Sequence, residues 1–245
     1  MTRSGFYRLG RKAGVSFRRA RWVWESVAGS EDDAIKAEYG VGRDMAAVVK
    51  EQKPSGPDDE TQALLDEIRQ QLAGSVRNQL HRFEVAVIDE DQPTAFALPG
   101  GFIFVAHRLA RLCECDRDEL AFVVAHEMSH VIRRHAIDRL ISQKVLSAAS
   151  LASPGRGMLA PWIRKVGLQW LERAYSRDQE FEADELGALL MRAAGFHPGG
   201  AVRLLHRFRS LDAAPHGTRL GAYLSTHPPV DDRILKLRQR FELTD

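Results

Sequence analysis

Two histidines four residues apart with a glutamate between them, His126-Glu127-Met128-Ser129-His130, are the side chains in this sequence best spaced to do chemistry. On a helix, positions four apart differ by about 40° in azimuth, so both imidazoles leave one face and can share one ion. Glu127 stands about 100° round, within reach of a water activated by that ion. The run Leu120–Ala125 just before the motif is apolar, which predicts a buried helix. Two imidazoles on a buried helix need polar partners, and a metal supplies them. Zinc is the ion such a site suits, because it lowers the pKa of a coordinated water to about 7. Glu127 is then the general base that takes a proton from the water and returns it to a leaving amine.

A catalytic zinc takes three protein ligands and keeps one position open. A third histidine on the continuation of the same segment would need Gly at 133 and His at 136, where the chain has Arg133 and Ala136. His135 falls about 180° round a continued helix from His126 and reads as a surface or second-face histidine. The other scheme is a glutamate on a later helix, and Glu180, fifty residues past His130, fits it. Asp184 lies four residues on, on the same helical face. A ligating histidine usually donates its second N–H to a carboxylate, and Asp184 is the expected acceptor. A solvated acidic face (Glu180, Glu182, Asp184, Glu185) is the plain alternative, and the upstream motif decides against it.

The elements that must position these groups are legible as patterns. A helix is expected from Glu31 to about Gln52, and a second around Leu64, Leu65, Ile68 and Leu72. Phe83, Val85 and Val87 alternate as in a strand; Phe102–Val105 is a strand entered through Pro99-Gly100-Gly101, with an edge strand before Pro99. Asp116 and Glu119 form a capping box for the motif helix. Residues 141–170 read as two short helices, and further helices are expected near 177–194, 198–211 and 230–241. The fold class is therefore α+β and mostly helical, with a small, early sheet.

Residues 1–24 hold seven basic side chains and no acidic one, and the rest of the chain has 28 basic against 33 acidic. Residues 1–30 are thus a basic arm, and 31–245 the domain. Aromatic residues interleave with those arginines, as in a segment that makes peripheral membrane contact; a disordered basic tail is the plain alternative, and nucleic acid is not expected. No stretch approaches the roughly 18–20 apolar residues that cross a bilayer, and glycines and charges interrupt any signal-peptide core. The expected location is cytoplasmic or peripheral to a membrane. Cys113 and Cys115, two apart, read as free thiols near a helix end.

Five segments in order resemble one metallopeptidase family, that of the CAAX prenyl protease, the HtpX heat-shock protease and the mitochondrial overlapping-activity protease. They are Tyr39–Arg43, Ala95–Gly101, His126–His130, Ser176–Asp184, and Thr226-His227-Pro228-Pro229 with Arg233. The resemblance implies a gluzincin metallopeptidase fold, with a small sheet bordering the active-site cleft, one Zn²⁺ per chain and polypeptide as substrate. It implies cleft roles for His227 and Arg233, as donors to the oxyanion or, for His227, as a latch on the zinc. It also implies a substrate strand at Thr94, Ala95, Phe96 and Ala97, with Thr94 standing where the family has asparagine. The activity expected is endopeptidase cleavage of unfolded or misfolded chains in protein quality control. The alternative is a latent or non-proteolytic, metal-stabilised, chaperone-like binding module.

Overall fold

The computed structural model of the chain describes residues 30–53, 59–142, 175–212 and 230–243. The basic arm, the segment 143–174 and the His227 motif lie outside the described residues. Helix α1 (Glu31–Gln52) starts where Ser30 accepts a hydrogen bond from the Asp33 N–H, with three acidic residues in its first turn. Helix α2 (Asp59–Gly74) buries Leu65, Ile68 and Leu72 at helical spacing. Three short strands follow: β1 (Glu84–Ile88), β2 (Ala95–Leu98) and β3 (Phe102–Ala106). Between β2 and β3 the chain reverses through Pro99–Gly101, where Gly100 and Gly101 take φ of 76° and 96°.

The sheet order is β1-β3-β2, with β1 parallel and β2 antiparallel to the central strand. Every residue of β3 is buried. Phe102 and Phe104 pack with Met45, Val48 and Val49 of α1, whereas Ile103 and Val105 join the main core with α2 and the motif helix. Gly42 lets α1 sit directly on the reversal, since a Cβ there would meet the Pro99 carbonyl oxygen at 1.7 Å.

The two outer edges of the sheet differ. On β1, the Gln62 carboxamide donates to the Val85 carbonyl at 3.1 Å and accepts from the Val87 N–H at 2.9 Å. It thus occupies the bonds that another strand would use. On β2, the Ala106 N–H donates to the Thr94 carbonyl, which sets the alternation. Phe96 and Leu98 therefore bond β3, and Ala95 and Ala97 turn their backbone groups to the other side. No strand pairs with that side among the described residues.

Beyond the sheet the described residues form helices α3 (His107–Leu112), α4 (Arg117–Ile132), α5 (His135–Ser142), α6 (Arg177–Ala193), α7 (Gly199–Asp212) and α8 (Val230–Phe241). Helix α4 is buried all round, every residue from Glu119 to Val131 being inside. Asp116 caps it as expected, accepting from the Asp118 and Glu119 N–H groups. The reciprocal half of the expected capping box is replaced, because the Glu119 carboxylate turns to Arg207 of α7, 2.9 Å away. Cys113 is buried at the end of α3 and Cys115 is exposed, and both are free thiols. No helix among the described residues is long and apolar enough to cross a membrane.

Candidate metal centre

Helix α4 carries His126, Glu127 and His130, and α6 runs against it carrying Glu180 and Asp184. The close approach depends on Gly187, where a Cβ would lie 3.1 Å from the His126 backbone nitrogen. Helix α6 opens with a full capping box, Ser176 accepting from the Gln179 N–H and Gln179 from the Ser176 N–H. That fixes its first turn, from which Glu180 projects inward.

The two Nε2 atoms of His126 and His130 stand 3.1 Å apart. Glu180 places Oε2 at 3.5 Å from the first and Oε1 at 3.7 Å from the second. One donor atom from each of the three residues lies within 4.8 Å of the others, a group that could hold a metal ion. All three side chains are buried. Two imidazole nitrogens and a carboxylate converging at a buried point fit a cation between them.

The shell behind them is built as finely. His126 turns Nδ1 to Asp184 Oδ1 at 3.0 Å, the acceptor expected from the spacing. Arg233 of α8, buried at 1% exposure, binds Asp184 through Nε and Nη2, both at 2.7 Å. Its Nη1 lies 3.9 Å from Glu180 Oε2. Burial alone would raise the Asp184 pKa, but the Arg233 guanidinium and His126 hold it below the ordinary carboxylate range. Burial would lower the His126 pKa, but its hydrogen bonds and charge interactions with Asp184 and Glu180 raise it to about 9.

His135 corrects the sequence reading. Helix α4 ends at Ile132, and Arg134 takes φ of 61°, so the chain turns back instead of continuing the helix. His135 is thereby buried, with Nδ1 2.9 Å from His130 Nδ1. Its Nε2 lies 3.4 Å from Glu182 Oε2. Burial lowers its pKa against the opposing pull of Glu182. Tyr175 stacks on the His130 ring, centroids 3.9 Å apart and planes 16° from parallel. Neither Gly187 nor Tyr175 was singled out in the sequence, although Gly187 continues the 180, 184 face of α6.

Glu127 lines a small hollow with Ala95, Phe122, Leu204, Phe208 and Arg233. The edge of β2 that no described strand pairs and the Glu127 carboxylate thus border one space. Thr94 and Phe96, beside Ala95 and Ala97, are half-buried, and Ala97 is buried. The C-terminal histidine of the sequence motif, His227, lies outside the described residues.

Residues 59–241 match the model of peptidase family M48. The chain is similar to the mitochondrial metalloendopeptidase OMA1 of Schizosaccharomyces pombe, 36% identical over 166 residues. It is similar also to the β-barrel assembly-enhancing protease of Escherichia coli, 31% identical over 180 residues. These matches cover 64% and 69% of this chain but only 46% and 36% of the relatives, so the chain spans less than half of either. With the family match running through the sheet, α4, α6 and α8, the chain belongs to peptidase family M48.

Proposed function

We propose that this chain is a zinc metalloendopeptidase that cuts unfolded or misfolded polypeptides. The observation that carries the reading is the convergence of His126, His130 and Glu180, with Glu127 on the helix of the two histidines, beside a β2 edge that no described strand pairs. His126, His130 and Glu180 would hold the ion. Zinc, when bound, polarises the attacking water and the scissile carbonyl. Glu127 accepts the proton of that water and delivers it to the departing amine. Asp184 holds the His126 ring through Nδ1, and Arg233 holds Asp184. This bidentate engagement supports an orienting role for Arg233 ahead of direct donation to the oxyanion.

Substrate binds along β2, where Ala95 and Ala97 offer main-chain groups to an extended segment. Pairing of this kind reads the backbone and not the side chains, which suits chains without a fixed fold. The name of one relative joins a protease to β-barrel assembly, and strands awaiting partners are substrates of this shape.

The test is hydrolysis of casein by the purified full chain, with zinc content measured alongside, for wild type and Glu127→Gln. Zinc-dependent cleavage lost in Glu127→Gln is the expected result. Stoichiometric zinc without cleavage of casein or of a peptide library would favour the binding-module reading instead.

A further inference from the structure

Stacking on Tyr175 fixes the plane of the His130 ring but not which nitrogen carries its proton. A neutral imidazole that gives its Nε2 lone pair to a cation must carry the proton on Nδ1. That Nδ1 faces His135 Nδ1 at 2.9 Å, and two ring nitrogens at this distance bond only if one donates. His130 must then donate and His135 accept, which leaves the His135 proton on Nε2, toward Glu182 at 3.4 Å. Every donor in the series points outward, from the ligand to a half-exposed carboxylate that also faces Arg133 Nε at 3.4 Å.

We propose that His135 is a positioning residue of the metal centre: it accepts the Nδ1 proton of His130 and, anchored by Glu182, holds Nε2 toward the cation. The proposal rests on the reading of His126, His130 and Glu180 as ligands. It gives the two imidazole ligands different supports, a carboxylate for His126 and a second imidazole for His130. The backbone is shaped to deliver it. Arg134 takes a left-handed conformation that non-glycine residues rarely adopt, and its Nε and Nη2 both reach the buried Glu38 of α1 at 2.7 Å. A helix continued through 133–135 would carry His135 to the far side of α4.

The experiment uses the full chain and zinc alone, with affinity read by competition against a chromophoric chelator. His135→Leu fills the volume without an acceptor; His135→Asn returns a carbonyl oxygen near the position of Nδ1. Outer partners of metal ligands change affinity by about 10–100-fold. His135→Leu is expected to weaken zinc binding by that factor and to shift the d–d bands of the cobalt-substituted protein. His135→Asn is expected to restore most of the affinity. Glu182→Ala, at a half-exposed position, is expected to weaken zinc several-fold with the melting temperature of the metal-free protein unchanged. Wild-type zinc affinity in both His135→Leu and Glu182→Ala, or a failure of Asn to rescue a folded protein, would overturn the proposal. Wild-type protein that binds no zinc would instead overturn the ligand reading beneath it.

Discussion

Glu127 and His126 are neighbours in sequence and both line the hollow beside Ala95, and His126 also turns its Nε2 to His130 and Glu180. Glu127→Gln keeps the shape of the side chain and removes its ability to take a proton. Turnover should fall by about 10²–10⁴-fold, the usual worth of a positioned base, with metal content by mass spectrometry unchanged. His126 makes a second prediction. Its pKa of about 9 in the metal-free site means that it is protonated at pH 7 and must lose that proton to bind a cation. This group alone should weaken metal affinity about tenfold for each pH unit below 9 and leave it level above. Calorimetric titration in two buffers of different ionisation enthalpy should report close to one proton released from His126 at pH 7. The motif residues were legible because a helix places i and i+4 together whatever surrounds it. Glu180 and Asp184 were legible by the same rule on a second helix. His135 was not, since the turn at Arg134 contains neither glycine nor proline, and the Glu38 that holds it lies 96 residues away.

Helices α4 and α6 meet at a glycine, and that contact sets the distance from Glu180 to the two imidazoles. In Gly187→Ala the new Cβ would lie 3.1–3.3 Å from the backbone of Ala125 and His126, so α6 must retreat by a few tenths of an ångström. Overpacking of this kind costs about 1–3 kcal/mol, and zinc affinity should fall with it. Gly40→Ala is the control: nothing lies within 4 Å of a Cβ there, inside α1. It should stabilise by about 0.5–1 kcal/mol, as alanine does in a helix interior. Thermal melts and zinc content of the two variants decide the matter. Most elements were readable from periodicity, with α1, α6, α7 and α8 falling within a residue or so of their expected limits. The short helices α3 and α5 were missed, because six and eight residues carry too few turns to display a period.

At the scale of the molecule, the centre ties α4 and α6 together while Arg233 brings in α8, so metal occupancy should govern the stability of the whole. With zinc at a thousandfold excess over its Kd, the linkage amounts to about 4 kcal/mol. For a domain of this size chelation should then lower the melting temperature by about 8–16 °C, and added zinc should restore it. A scan with chelator that leaves the transition unmoved would exclude a bound stabilising ion. Gln62 acts at this scale too. A sheet with two open edges has a valence of two and can extend from copy to copy without limit. With its amide seated on Val85 and Val87, Gln62 lowers that valence to one. A molecule that pairs through β2 has no second edge to hand on, so it would end any stack it joins. Gln62→Ala should restore the second edge, and light scattering should then show assemblies that lengthen with concentration where wild type does not.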